Sequence, residues 1–338
     1  MVEDSLQPQQ DMDMLLSAVS DSLETLRTRL DIEVLPLFLP LLAQLCCLQR
    51  VTLDIVPTQG SFHPPVLMSP SSAHDLVVRI STGSQQWNGG WSETVVDMFK
   101  SSFPHVKQLT LEGSRTEYLL DLLIEGTLSQ LKTVFLSLPT QNPGPTFCLS
   151  SSIQTLTINV GGGDINQCRS TNVTGLYINY EDGSTRNSPP IELSNWPNLM
   201  ALSINHLSHP VQWHTIRFEF LRKIDLGHAP AKFARYEGSR LIYHLAAHPD
   251  AFPLLKKLKL KPYIEWDIFF IMLESRNSLR KTATSSRLKS VVFTSRIPAE
   301  FAELTSRLLR GTKDEVDSLS KYEFSWMGSM EIIQDMSL

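Results

Sequence analysis

Three stretches of the chain repeat one arrangement of apolar and polar residues. Phe103-Pro104 leads into Val106, Leu109 and Leu111; Trp196-Pro197 into Leu199, Leu202 and Ile204; Phe252-Pro253 into Leu255, Leu258 and Leu260. With the first apolar residue as position 0, apolar side chains stand at 0, +3 and +5, and mostly polar or small ones at +2, +4 and +6. Copies without the aromatic-proline lead are Leu48/Val51/Leu53, Leu131/Val134/Leu136, Ile153/Leu156/Ile158, Val173/Leu176/Ile178, Leu221/Ile224/Leu226 and Leu288/Val291/Phe293. Fainter copies are Leu23/Leu26 and Ala73/Leu76/Val78. Alternation at +3 and +5 predicts a short strand with one buried face, and +2, +4 and +6 point to the other face.

The triplets begin at residues 23, 48, 73, 106, 131, 153, 173, 199, 221, 255 and 288. A leucine-rich repeat recurs every ~20–29 residues with apolar residues at this offset. One such strand cannot bury its apolar face alone, whereas stacked neighbours share a continuous core. Strands stack about 4.8 Å apart and helices need roughly 8–10 Å, a mismatch that curves the stack with its strands on the concave side. The predicted fold is therefore α/β: an irregular leucine-rich-repeat solenoid, a curved parallel sheet with helices and loops on the convex side. The asparagine usual at +8 is missing (Ser114, Pro139, Gly161, Glu181 and Leu207 stand there), hence the irregularity. The reading divides the chain into a flexible 1–11, a repeat array over 12–312 and a C-terminal cap or tail over 313–338.

Between the triplets the pattern changes period. Apolar residues from Met12 to Leu30 follow a helical spacing, and the run Leu35 to Leu48, broken by Pro36, Pro40 and Gln44, predicts a buried helical connector. Ser92 to Phe99, Thr116 to Leu128, Ser239 to His248, Tyr263 to Ser275 and Pro298 to Leu309 read as helices. Pro57 to Ser72, Gly83 to Gly90, Pro139 to Pro145, Gly161 to Asp164 and Glu181 to Pro190 read as loops or 3₁₀ turns. Leu319, Tyr322, Phe324 and Trp326 supply a candidate end cap.

Composition narrows the partners. A net charge of −5 gives no global basic excess for nucleic acid or anionic lipid. The longest apolar run, about 14 residues with two prolines inside, is shorter than the ~20 residues of a membrane-spanning helix. The first residues are acidic and glutamine-rich, unlike a secretory leader. Cys46, Cys47, Cys148 and Cys168 form no C-x-x-C or disulfide framework; they read as small buried residues in a reducing compartment, cytoplasmic or nuclear.

The stretch from Phe252 to Leu260, then Tyr263 to Asn277, Ser286 to Val291 and Leu308-Leu309-Arg310-Gly311 resembles the C-terminal part of the large F-box/leucine-rich-repeat family of mushroom-forming fungi. The resemblance covers the last quarter of the chain and implies an adaptor that presents a target protein to a cullin-type ubiquitin ligase. The target would sit on the repeats, and the ligase's adaptor subunit on an N-terminal F-box. Residues 1–50 contain no Leu-Pro-x-Glu signature, because Leu35-Pro36 is followed by Leu37-Phe38, so the box is missing or truncated here.

If the concave face does the work, its candidates are Asn159, Asn179 and Asn205, which share the +6 slot of three successive triplets, and Lys257, Lys259 and Lys261 on one strand. The asparagines read either as a structural amide row or as a target-contacting row. The lysines read either as a solvated edge or as a docking site for an acidic or phosphorylated segment. Phe135 and Tyr177 are the aromatic anchors. Catalytic signals are poor. His244 and His248 have an i, i+4 spacing without an intervening glutamate, and His206, His209 and His214 have no assignable carboxylate. Gly161-Gly162-Gly163-Asp164 lacks the Gly-Lys-Ser/Thr ending of a phosphate loop. The expected function is therefore a non-catalytic, monomeric protein-binding module, with no cofactor or metal. Its alternatives are a stand-alone scaffold unconnected to ubiquitin and, more remotely, an enzyme on a repeat scaffold.

Overall fold

The structure is a computed structural model that describes residues 14, 18–57, 69–81, 92–113, 116–124, 126–138, 146–161, 164–180, 190–206, 210–213, 217–227, 231–261, 264–277, 287–310, 322–327 and 331–336. The chain is mixed α/β and forms two compact units, residues 1–156 and 157–338.

The first unit is built on parallel strands laid side by side in chain order: β1 (Thr25–Asp31), β2 (Arg50–Val56), β3 (Asp75–Ile80), β4 (Gln108–Gly113) and β5 (Thr133–Leu138). Corresponding triplet positions are register partners: Val51 faces Leu76, Leu76 faces Leu109, and Leu109 faces Val134. Two helices return the chain, α1 (Leu35–Leu42) and α2 (Ser92–Ser102). In α1, Leu35, Pro36, Phe38, Leu39 and Leu42 turn inward, as the connector reading expects. Pro36 is tolerated near a helix start, where its missing N–H would have had no partner. The short β6 (Phe147–Cys148) follows, and the boundary between units falls within β7 (Thr155–Val160).

The second unit continues with the short β8 (Cys168–Arg169), then β9 (Gly175–Tyr180), β10 (Ala201–Asn205), β11 (Lys223–Asp225), β12 (Lys257–Leu260) and β13 (Ser290–Phe293). From β9 to β13 each strand is parallel to the next. Three helices intervene: α3 (Ala231–Ala247), α4 (Trp266–Asn277) and α5 (Ala299–Arg310). The last strands, β14 (Tyr322–Met327) and β15 (Glu331–Met336), form an antiparallel hairpin, and β15 pairs antiparallel with β13. The region expected to cap the array thus extends the sheet backbone at its end.

Burial follows the triplets closely. Every residue at 0, +3 and +5 from Leu48 to Phe293 is at most 2 % exposed. The leads Phe103, Trp196 and Phe252 are fully buried. A repeated backbone device sets the register. The carbonyl at +1 of one strand accepts the amides at both +1 and +2 of the next, as when Gln49 and Arg50 donate to Glu24 at 2.8 and 3.1 Å. The same fork recurs at the carbonyls of Gln49, His74, Lys107, Lys132, Thr174, Met200, Arg222 and Lys256. Each fork satisfies two amides where the chain enters a strand, so a one-residue slip would strand both and invert the buried face.

In the second unit the helices close over the strands with an aromatic cluster. Trp266 lies 4.7 Å from Phe301 and 5.2 Å from Phe293 between ring centroids, and Phe269 touches Phe293 at 5.6 Å. At the end of α4, the buried Arg276 guanidinium donates to the carbonyls of Pro249 and Phe252 at 2.7 and 2.8 Å. Desolvation lowers its pKa to about 10. Asn277 donates to the carbonyls of Leu288 and Leu308 and accepts from the Leu288 amide at 2.9 Å. These two buried side chains tie α4 to the aromatic-proline lead and to the next triplet.

Four local expectations change. The helical spacing from Met12 to Leu30 gives way to strand β1 from Thr25, because parallel pairing with β2 overrides the local period. Thr116 to Leu128 forms a 3₁₀ helix over Thr116–Leu123 rather than an α-helix; its start is held by the Thr116 hydroxyl donating to the Ser137 carbonyl at 2.6 Å. The helix expected at Ser239 begins at Ala231 and ends at Ala247. The cysteine reading is corrected as well: Cys168 is buried, but Cys46, Cys47 and Cys148 are exposed. Cys46 and Cys47 sit after α1 with their sulfurs 3.9 Å apart, donating to the carbonyls of Ser20 and Asp21. The loops expected at 83–90, 139–145 and 181–189 lie outside the described residues, as do most of 57–72 and the side chains of 319–326.

Candidate functional site

The +2, +4 and +6 positions form the polar face of the strands, and the second unit holds most of the predicted site residues. Asn179 donates from Nδ2 to Asn159 Oδ1 at 2.9 Å, and Asn205 donates to Asn179 Oδ1 at 2.7 Å. The three asparagines thus build one hydrogen-bonded ladder, half-buried and running from strand to strand. An amide is suited to this because it carries donors and an acceptor on one planar group, so identical side chains satisfy each other without charge. The ladder stands beside Tyr177, which is 36 % exposed between buried Leu176 and Ile178. Its register partner on β10 is the small Ser203, which leaves the phenol ring standing above its neighbour.

The lysine row is corrected. The strand ends at Leu260, so Lys261 lies just beyond it, and Lys257 and Lys259 alone project from β12. Lys259 is 23 % exposed at its side chain and reaches Asp225 at 3.5 Å. Asp225 also accepts from the Gly227 amide at 3.0 Å. Gly227 is required by space. A Cβ there would stand 2.5 Å from Thr294 Cγ2 and 2.8 Å from Lys259 Cε, and the Thr294 hydroxyl donates to the Gly227 carbonyl at 2.8 Å. Lys259 is therefore a packed, ion-paired member of the face rather than one of three free ammonium groups. The register explains it: Lys259 and Asp225 are direct partners on neighbouring strands.

Phe135 lies in the first unit, half-buried on β5 with Thr110 as its register partner. The polar face of that unit carries a charge ladder absent from the sequence-based candidates. Arg27 reaches Asp54 at 3.1 Å; Arg79 reaches Asp54 at 3.7 Å and Glu112 at 2.7 Å; Arg50 reaches Asp75 at 2.6 Å. The hydrogen bond to Glu112 leads the forces that raise the Arg79 pKa. The signal was present in the +6 slot, where Arg29, Asp54, Arg79 and Glu112 alternate in sign, but it emerges only when the faint first and third triplets are aligned with the rest.

Among the described residues the remaining candidates do not assemble into a reaction centre. The His244 and His248 rings touch at a tilt of 49°, 5.2 Å between centroids. No group of three metal-ligating side chains occurs among the described residues. His206 follows Asn205 with a left-handed backbone, φ 52°, while His209 and His214 lie outside the described residues. Asp164 caps a 3₁₀ turn by accepting from the Asn166 amide at 2.9 Å, while Gly162 and Gly163 before it lie outside the described residues. Glu237 is a buried carboxylate, accepting from Trp213 Nε1 at 3.3 Å, the Val211 amide at 3.2 Å and Arg240 at 3.0 Å. Burial pushes its pKa up against those donors. A hollow of about 400 Å³ beside β1, lined by Arg29, Asp31, Val34 and Phe38 among others, contains none of the predicted site residues. No helix among the described residues is long and apolar enough to cross a membrane.

No family model matches the chain, and no curated protein matches it in sequence.

Proposed function

We propose that the chain is an irregular leucine-rich-repeat protein that binds a protein partner on the polar face of its strands. The observation that carries this reading is the division of labour on β9. Leu176 and Ile178 are buried, while Tyr177 between them stands exposed beside a pre-ordered amide ladder. An aromatic ring with little rotamer freedom, fixed on a strand and flanked by ordered polar groups, has the attributes of an interface anchor. The reading takes the strands to line the concave side of a curved sheet, where neighbouring side chains converge on one ligand surface.

The test replaces Tyr177 with a photo-crosslinking amino acid and, separately, Ile271, which is exposed on α4. A discrete protein adduct formed at Tyr177 and not at Ile271 supports the reading. Identical adduct patterns from the two positions would contradict it.

The family resemblance adds a finer proposal: the partner is a target delivered to a cullin-type ubiquitin ligase. What supports it is the pattern from Phe252 to Leu260 and Tyr263 to Asn277, whose Arg276 and Asn277 hold the second unit's lead and triplet together. Co-purification of the cullin adaptor subunit with this chain, or with its gene product extended upstream of Met1, tests the ligase role. Absence from both leaves the stand-alone scaffold as the functional reading.

A further inference from the structure

The polar face of the second unit has a second charged feature, at the edge where the chain enters its strands. The Arg222 carbonyl accepts the amides of Lys256 and Lys257 at 2.9 and 3.0 Å, and the Lys256 carbonyl accepts those of Lys289 and Ser290 at 2.7 and 3.0 Å. These forks align Arg222/Lys223, Lys256/Lys257 and Lys289/Ser290 on three neighbouring strands. Lys223 and Lys257 are direct register partners. Strands lie about 4.8 Å apart, so five cationic residues are rooted in a strip roughly 10 Å wide. Arg222, Lys223 and Lys257 are exposed, and Lys256 and Lys289 half-exposed.

The corresponding edge of the first unit is arranged differently. There the positions are Gln49/Arg50, His74/Asp75, Lys107/Gln108 and Lys132/Thr133; Arg50 is neutralised by Asp75 at 2.6 Å, and the exposed Lys107 and Lys132 have no cation beside them at +2. Like charges placed directly opposite each other on neighbouring strands repel, and Lys223 and Lys257 stand in that relation. Among the described residues no carboxylate lies within ion-pair distance of Arg222, Lys223, Lys256 or Lys289. The nearest acid along β11, Asp225, is engaged by Lys259 and the Gly227 amide. Asp250 acts on Arg276 instead.

From this geometry we infer that the strand-entry edge of the second unit is a docking strip for an acidic, aspartate- and glutamate-rich segment of a partner protein. The inference rests on the protein-binding reading above and names the chemistry of the partner. Four of the five cations are lysines, point charges that suit a spread of carboxylates better than bidentate capture of one phosphate. The whole chain is acidic at −5, which disfavours nucleic acid.

The experiment uses the full chain and fluorescence anisotropy with three labelled probes: a short glutamate-rich peptide, its glutamine counterpart, and a single-stranded oligonucleotide of matched charge. The glutamate peptide should bind, weaken as salt rises toward physiological strength, and lose affinity about tenfold or more in Lys223→Glu/Lys256→Glu, a loss equal to ~1.4 kcal/mol or more. Lys223→Gln/Lys256→Gln should give a smaller loss in the same direction and guards against misfolding of the reversed pair. Lys132→Glu, at an exposed cation in the +1 slot of the first unit, should change nothing. Equal binding of the glutamate and glutamine peptides, equal damage from Lys132→Glu, or tighter binding of the oligonucleotide overturns the inference. If the peptide fails while the Tyr177 adduct persists, the strip alone is refuted. If the adduct fails while the peptide binds, the error lies in assigning the sheet face.

Discussion

The two units share one backbone plan and fill its polar face in opposite ways. From Leu48 onward both bury the 0, +3 and +5 positions to 2 % exposure or less, and both enter strands through the same forked hydrogen bonds. At +6, however, the first unit carries Asp54, Arg79 and Glu112, cross-linked by ion pairs of 2.7 and 3.7 Å. The second carries Asn159, Asn179 and Asn205, linked by neutral hydrogen bonds of 2.9 and 2.7 Å. At +2 the first unit pairs Arg50 with Asp75, whereas the second sets Lys223 against Lys257. The +6 row is closed by ion pairs in the first unit and by neutral amides in the second. The second unit gathers Arg222, Lys223, Lys256 and Lys289 at its strand-entry edge, with no carboxylate in ion-pair distance among the described residues. The apolar half of each strand makes the fold; the polar half is where the units diverge, and binding is best sought on the half that leaves charge uncompensated.

Substitutions separate what the two units share from where they differ. The largest effect is expected where the units are alike. Leu109→Ala in the first and Leu202→Ala in the second should each cost ~2–5 kcal/mol in denaturant unfolding. A loss confined to one of them would show that the triplets are not equivalent. Gly227→Ala drives a methyl into Thr294 and Lys259 and should cost about 1–3 kcal/mol through overpacking. Asn179→Ala cuts both links of the amide ladder and should cost ~1–2 kcal/mol, with little dependence on salt because no charge is involved. Glu237→Gln tests the buried carboxyl of the second unit. Its folded pKa is raised, so the folded state holds the proton more tightly and stability falls as pH rises through the carboxylate range toward that raised pKa. The substitution should flatten that decline in melts run across pH. The smallest effect belongs to the exposed ladder: Arg79→Met should cost less than about 1 kcal/mol and approach zero in high salt.

Much of the fold was legible because period-two alternation is enforced by burial, and ten successive triplets from Leu48 to Leu288 repeat it without exception. The helices at Leu35, Ser92 and Ala299 were legible because each carries an apolar stripe or a proline at its start, and the one at Trp266 from its continuous apolar run between two triplets. The failures have identifiable causes. Thr25 to Asp31 looks helical by spacing, but pairing with β2 decides it. Thr116 to Leu123 has the composition of an α-helix, yet a tight connection and the Thr116 bond to Ser137 wind it as 3₁₀. The cysteines misled because residue type predicts burial only on average, and Cys46 and Cys47 fall in the turn after α1. Of the candidate site, the amide row was visible in sequence, since three asparagines share one slot. The pairing of Lys259 with Asp225 was not, because it depends on which residues the register sets opposite each other across 34 positions of chain.

Adjacent residues of one strand, Leu176 and Tyr177, serve separate ends: one is buried and the other exposed. The most direct measurement compares Leu176→Ala with Tyr177→Ala for both unfolding free energy and partner capture by a crosslinker placed at the neighbouring Ser203. Leu176→Ala should lose ~2–5 kcal/mol of stability; Tyr177→Ala should stay within about 0.5 kcal/mol of the parent, as for ordinary surface positions, while capture falls. Equal stability losses from the two substitutions, or undiminished capture in Tyr177→Ala, would contradict it.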